Sequence, residues 1–215
     1  LSRALLARGQ RRQARNVLTE LLSRCRAYEW SHTPWRAVLR LVAMEIDLGH
    51  HDEAEALLRR VRSEGPKSIQ GSALLALGRI AMTRQEPWAE EILAEAVNLG
   101  LTMEEQLRCR IIRVERAIRC NEPVHLLGEA LDDAKRMAAK VGQPQLTALT
   151  RLLEGDIARI GKRFDTARGF YDEALALVGE RSESEIYFRT ILRMGNLAIA
   201  QGQVQEAFEL YRKAA

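Results

Sequence analysis

The sequence predicts an all-α fold: a right-handed superhelical solenoid built from antiparallel helix pairs. Glycine-led phrases recur with a period near 40 residues, from Gly9 to Gly49 and from Gly161 to Gly202. Ala, Leu, Arg and Glu, which all favour helices, dominate the composition. No run shows the two-residue alternation between turn residues that marks a strand. A fixed period of this length is typical of stacked helical repeats.

Prolines and short polar linkers divide the chain into twelve predicted helices. Each of the five prolines stands just inside the start of a periodic apolar segment, where its missing N–H is not needed: Pro34, Pro66, Pro87, Pro123 and Pro144. The predicted helices cover residues 1–8, 11–28, 34–48, 51–63, 67–84, 87–99, 102–120, 123–141, 144–160, 163–178, 182–201 and 203–215. Because the linkers are short, we expect antiparallel hairpins. Residues 1–215 are predicted to form one repeat domain of about five to six helix pairs, a fragment of a larger protein.

A glycine recurs inside the first helix of a pair, three residues before an alanine. The three instances are Gly78 and Ala81, Gly155 and Ala158, and Gly195 and Ala198. Glycine inside a helix costs about 1 kcal/mol relative to alanine. A cost repeated at a fixed phase therefore predicts that the helix approaches its partner closely at each of these positions.

The last two units share a motif that extends into the second helix. It reads Gly155-x2-Ala158 followed by Phe164-x2-Ala167-x3-Tyr171-x2-Ala174, and then Gly195-x2-Ala198 followed by Val204-x2-Ala207-x3-Tyr211-x2-Ala214. This motif resembles the tetratricopeptide repeat. The resemblance implies TPR-like helix pairs whose first helices line a concave groove, and a non-enzymatic interaction or scaffold domain that binds a protein or peptide partner there.

Two stretches near the beginning carry a second resemblance. ALLARGQRRQARNVLTELLSRC and DLGHHDEAEALLRRV, with a period longer than 34 residues, resemble the helical sensor domain of MalT-like, LuxR-type bacterial regulators. The resemblance implies a cytoplasmic module of a bacterial signalling or transcription-regulating protein, and a small-effector sensor as the alternative function. The chain contains no GxxxxGK[ST] motif and no separate helix-turn-helix signature, so transcription would concern the parent protein.

No group of residues in the sequence predicts catalysis, a cofactor or a metal site. We interpret His50-His51-Asp52 as a solvated turn with Asp52 as the helix cap, because adjacent side chains at a turn point apart. The three cysteines form no CxxC pair and indicate reduced cytosolic thiols. The tryptophans near helix ends favour packing over a ligand platform: Trp30, Trp35 and Trp88.

The charge pattern also limits the classes of partner. The net charge is +4, but acidic residues alternate with the basic ones and aromatic residues for base stacking are scarce, so nucleic-acid binding is not expected. No stretch of the sequence has the uncharged apolar length that a membrane span needs. Apolar residues such as Phe208 and Tyr211 in the last predicted helix lack a capping helix, and they predict self-association through uncapped solenoid ends.

The predicted groove is the stripe of first-helix residues counted from the recurring small residue. It consists of Arg36, Arg79, Arg108, Ile112, Glu115, Arg119, Asp156, Arg159, Arg189 and Asn196. The alternative interpretation is a solvated helix face on which arginine serves helix propensity and solubility. The functional hypothesis is recognition of a carboxylate-rich peptide or an anionic effector, because guanidinium groups pair bidentately with such groups.

Overall fold

The computed structural model describes residues 13, 15–20, 23, 35–47, 49–179 and 185–214, and all regular structure in these residues is helical. The helices with complete bounds are α1 (Trp35–Asp47), α2 (His51–Glu64), α3 (Lys67–Thr83), α4 (Ala89–Asn98), α5 (Met103–Arg119), α6 (Val124–Val141), α7 (Pro144–Ile160), α8 (Phe164–Val178), α9 (Glu185–Ala200) and α10 (Val204–Ala214). Residues 15–20 are also helical. The all-α prediction is confirmed, while the predicted helix 1–8 lies outside the described residues.

The helices fall into two compact units, Leu1–Leu101 and Thr102–Ala215. In both units each hairpin packs against the next one. The first helices of successive hairpins also touch: α1 contacts α3 in unit 1, and in unit 2 α5 contacts α7, which contacts α9. Each unit is therefore a stack of helix pairs whose first helices lie side by side. A single arc over residues 1–215 stays a prediction.

One turn geometry is repeated in all five described hairpins. A residue in the left-handed region donates its N–H to the carbonyl three residues back, and the next residue donates to the carbonyl five residues behind it. The left-handed residues are Gly49, Gln85, Asn121, Lys162 and Gly202. This is the Schellman arrangement, which satisfies the last carbonyls of a helix. The sequence analysis matched Gly161 with Gly202. The turn geometry corrects this match, because the residue equivalent to Gly202 is Lys162.

The recurring glycines make room for a side chain of the second helix. A Cβ on Gly155 would lie 2.3 Å from Cε1 of Tyr171, and one on Gly195 would lie 2.5 Å from Cε1 of Tyr211. At Gly78 the obstructing atom is Cδ2 of Leu93, at 2.4 Å. The predicted close approach is confirmed, but the group that fills the space is a large side chain rather than the partner backbone.

Some predicted helix starts are wrong by a few residues. Among the prolines that the structure describes, Pro144 lies inside the first turn, Pro66 and Pro123 are N-cap residues, where their fixed φ suits the extended backbone, and Pro87 precedes the N-cap. Pro34 lies outside the described residues. Asp52 does not cap α2. His50 holds the N-cap position without a side-chain cap bond, and the Asp52 carboxylate lies 2.6 Å from Nη2 of Arg84.

Candidate binding site

Equivalent positions of α5, α7 and α9 carry the acidic and amide residues of the predicted groove. Glu115, Asp156 and Asn196 each precede by two residues an alanine whose carbonyl accepts the long Schellman bond. They therefore occupy one register position on three first helices that lie side by side. We call the surface formed by α5, α7 and α9 the first-helix face of unit 2.

Asp156 is a buried carboxylate, only 2% exposed, at the centre of this row. The Tyr171 hydroxyl of α8 donates to its Oδ1 at 2.9 Å, and Nε of Arg193 in α9 lies 3.1 Å from its Oδ2. Burial raises the pKa of Asp156, although the charge of Arg193 and the bond from Tyr171 oppose this shift. Asp156 therefore has one contact with the second helix α8 and one with the neighbouring first helix α9.

Arg189 connects the two outer helices of the face. Its Nη2 forms an ion pair with Glu115 of α5, which is 74 residues away in sequence, and its Nη1 lies 3.7 Å from Glu185 in its own helix. Burial disfavours the charge of Arg189, but its carboxylate neighbours outweigh that effect and raise its pKa. The guanidinium of Arg189 is therefore fixed in place and charged.

Arg159 stands one turn after Asp156 in α7. Its Nε is buried and has no hydrogen-bond partner among the described residues, while its guanidinium group also interacts with the Tyr171 hydroxyl. The charges of Arg159, Arg189 and Arg193 all act on Asp156 and favour its ionised form. We call these three residues the arginine cluster. The carboxylates beside the cluster are those of Glu115 and Asp156, which are half-buried and buried, and that of the exposed Glu185.

The other predicted groove residues of unit 2 do not join this cluster. Arg108 pairs with Glu104 of its own helix at 2.9 Å, and Glu104 also accepts a bond from Gln143 Nε2 at 2.7 Å. Arg119 is exposed in the last turn of α5. Ile112 is a correction, because it is only 5% exposed and belongs to the hydrophobic core instead of a binding surface.

Arg36 and Arg79 lie in unit 1 on α1 and α3, two first helices that contact each other. Arg36 is exposed at the second residue of α1, and Arg79 is half-buried beside Gly78. Their membership of one groove with the residues of unit 2 stays a prediction.

Sequence reasoning missed two parts of the site. Arg193 lies one turn after Arg189 and three residues before Asn196, so the same stripe contained it. The tyrosine hydroxyls are the second part, because the repeat motif contains Tyr171 and Tyr211 but does not show what their hydroxyl groups bond. Each bonds the residue that follows the recurring glycine: Tyr171 to Asp156, and Tyr211 to Asn196 Oδ1 at 2.7 Å. A signal for these hydrogen bonds is present in the sequence. A Gly-Asp or Gly-Asn pair stands at the same distance before the tyrosine in both units.

The histidine and tryptophan groups lie elsewhere. His50 Nδ1 lies 2.9 Å from Oε2 of the buried Glu45, whose Oε1 also receives Nε of Arg15 at 2.6 Å. The Trp88 ring has the Arg59 guanidinium 5.8 Å from its centroid. Within the described ranges, no three His, Cys, Asp or Glu side chains come together as metal ligands would. Nor does any helix in this part of the chain combine the length and apolar character that a bilayer span requires.

The described helices stack as antiparallel hairpins with adjacent first helices, and in three hairpins a glycine faces a large side chain of the second helix. The family model of the tetratricopeptide repeat matches residues 5–78, and no curated protein matches the chain. The match covers about a third of the chain, and the described helix pairs are consistent with a tetratricopeptide-like helical repeat. Repeats of this type generally mediate protein–protein interaction or scaffolding and are generally non-catalytic.

Proposed function

We propose that the first-helix face of unit 2 binds an acidic segment of a partner protein, and that the arginine cluster is the contact point. The proposal includes the regulatory setting that the sequence predicts: a cytoplasmic interaction module of a bacterial signalling or transcription-regulating protein. The observation that carries it is the unequal pairing in this face, where Arg159 keeps a buried Nε without an acceptor beside two arginines that already hold carboxylates.

The chemistry of the cluster favours a carboxylate ligand. A buried N–H without an acceptor costs roughly 1–3 kcal/mol, and a ligand oxygen would remove that cost if the Arg159 side chain turned outward on binding. Guanidinium groups bind carboxylates through two parallel hydrogen bonds, which gives the contact a defined orientation as well as energy. A segment with several Asp or Glu side chains would supply acceptors to Arg159 and to the outward N–H groups of its two neighbours.

The cluster is also ordered before any ligand arrives. Glu115 and Asp156 hold Arg189 and Arg193 in fixed positions, and Tyr171 holds Asp156 from the second helix. Binding therefore immobilises fewer rotatable side chains than it would on an open helix surface, where each such side chain costs about 0.5–1.5 kcal/mol. Because Glu115 and Asp156 already pair with Arg189 and Arg193, we expect a ligand to add hydrogen bonds to the cluster and not to displace these two carboxylates.

The test is a binding titration with a defined probe. A fluorescein-labelled poly-glutamate peptide is titrated with the protein and followed by anisotropy, with a poly-lysine peptide of equal length as the charge control. We expect the acidic peptide to bind and the basic one to fail, with an affinity that falls as salt rises. Because hydrogen bonds to charged groups are worth about 1.5–3 kcal/mol, Arg159→Gln with Arg193→Gln should weaken binding at least about tenfold.

The matched control removes two arginines of another surface. Arg62 and Arg136 lie on second helices, α2 and α6, and each also pairs with a carboxylate. Arg62→Gln with Arg136→Gln changes the net charge equally and should leave the affinity within about twofold. Equal weakening by both double variants, with helicity intact by circular dichroism, would show non-specific charge attraction and end the proposal. Competition by free glutamate as strong as that of the peptide would instead favour the small-effector alternative.

A further inference from the structure

The first and second helices of unit 1 differ in charge. The second helices α2 and α4 together contain seven Asp and Glu residues and three Arg residues. The first helices α1 and α3 contain four basic and two acidic residues, and α3 has no acidic residue at all. Glu45 of α1 is buried, and Arg15 and His50 hold its carboxylate. The first helices of unit 1 therefore have an excess of positive charge.

An arginine of α3 stands where unit 2 has its central carboxylate. Counted from the residue that accepts the long Schellman bond, Arg79 has in α3 the position that Asp156 has in α7. By the same count, Arg40 has in α1 the position that Arg193 has in α9. Unit 1 thus places two arginines where unit 2 places an arginine and an aspartate.

The register offset of this pair is one that an arginine side chain can span. In unit 2, Nε of Arg193 reaches Oδ2 of Asp156 on the adjacent first helix at 3.1 Å. Helices α1 and α3 are likewise in contact, so Arg40 and Arg79 can approach one ligand group from two sides. Arg36 lies one turn before Arg40 on the same side of α1. We call Arg36, Arg40 and Arg79 the α1–α3 arginine group.

The α1–α3 arginine group is open to a ligand. None of its members forms an ion pair with any residue that the structure describes. Arg36 and Arg40 are exposed, and Arg79 is half-buried. In register, Ala43 of α1 lies beside Arg79, and Ala76 of α3 lies beside Arg40. These short side chains leave space for an anion between the guanidinium groups.

We infer that the α1–α3 arginine group binds a phosphate group on a segment of a partner protein. A phosphorylated side chain carries a charge of about −1.5 to −2 at pH 7 and three acceptor oxygens, which suits three guanidinium groups that have no carboxylate among them. Nucleic acid is the less suitable source of phosphate. Trp35, half-buried, is the one aromatic residue of α1, and α3 has none, so bases would find little to stack on.

The test is a binding titration with a phosphopeptide. A fluorescein-labelled peptide with one phosphoserine among glycine and serine residues is followed by anisotropy, and the same peptide with an unmodified serine is the control. We expect the phosphorylated peptide alone to bind, with an affinity that falls as salt rises. Arg40→Gln with Arg79→Gln should weaken binding at least about tenfold, because each guanidinium supplies charge-assisted hydrogen bonds to the phosphate.

A second variant guards against an indirect effect at the half-buried Arg79. Arg36→Gln with Arg40→Gln changes two exposed residues of α1, so folding should survive, and binding should weaken by a similar factor. The matched control is Arg59→Gln with Arg60→Gln on the second helix α2, where each arginine pairs with a glutamate of its own helix. It changes the net charge equally and should leave the affinity within about twofold.

Three results would overturn the inference. The first is an affinity for the phosphopeptide that neither arginine-group variant changes. The second is equal weakening by the α2 control, which would show non-specific charge attraction. The third is competition by inorganic phosphate or by a single-stranded oligonucleotide as strong as that by the unlabelled phosphopeptide, because the site would then not select a phosphorylated protein segment.

Discussion

The α7–α8 and α9–α10 hairpins contain the same clasp in two different environments. In both, a glycine of the first helix faces a tyrosine ring, and the tyrosine hydroxyl bonds the residue after the glycine. Tyr171 is fully buried and bonds the buried Asp156, whereas Tyr211 is half-buried and bonds the exposed Asn196. The contact between glycine and tyrosine forms within each hairpin. How deeply the tyrosine is buried depends on whether another helix packs against the outer side of that hairpin. Helix α9 fills that position for the first hairpin.

The largest effect should follow from removing the ring. Tyr171→Ala deletes a fully buried aromatic side chain and should reduce the free energy of unfolding by about 3–5 kcal/mol. Tyr211→Ala removes the equivalent ring at a half-exposed position and should cost clearly less, because its cavity opens to solvent. Chemical denaturation followed by circular dichroism measures both. Equal losses would mean that the covering helix adds nothing to the clasp.

A smaller effect is expected from filling the glycine position. The Cβ of Gly155→Ala would overlap the Tyr171 ring, which is enclosed, and such overpacking costs about 1–3 kcal/mol. The gain in helix propensity, about 1 kcal/mol, offsets only part of this cost. In Gly195→Ala the Tyr211 ring can move toward solvent, so that variant should be close to neutral. Thermal unfolding of the two alanine variants distinguishes them; a neutral Gly155→Ala would contradict the close contact.

The recurrence of the clasp could be predicted from the sequence, but its burial and bonding could not. Period and phase located Gly155 and Tyr171 correctly because a hairpin is a local structure. Local pattern could not show that Asp156 is buried or that Arg193 reaches it, since both depend on how α9 packs against α7. Ile112 was misplaced for the same reason: its position around the helix matched the groove, but packing against neighbouring helices made it core.

The smallest effect concerns pH. Burial raises the pKa of Asp156 above its ordinary value of 3.8, despite the opposing charge of Arg193. The folded chain therefore holds this proton to higher pH than the unfolded chain does. The stability that the proton contributes is complete below the ordinary pKa and is lost as pH rises through the raised one. Relative to Asp156→Asn, the native chain should lose stability over that range.

The matched variant for pH is Asn196→Asp, which places a carboxylate at the exposed equivalent position. Its unfolding free energy should show no such added dependence, because solvent keeps the pKa of an exposed carboxylate near its ordinary value. Denaturant titrations at several pH values measure all three proteins. If the native chain gains stability relative to Asp156→Asn as pH rises, attraction by the arginines outweighs burial at Asp156.

The most direct test of the proposed function locates the bound peptide on the protein. Amide hydrogen exchange is measured with and without the poly-glutamate peptide, and the change in protection is assigned to individual helices. We expect added protection in the segments of α7 and α9 that hold Arg159, Arg189 and Arg193, and none in the second helices α6, α8 and α10. Protection confined to the second helices, or spread evenly over the chain, would contradict binding at the first-helix face of unit 2.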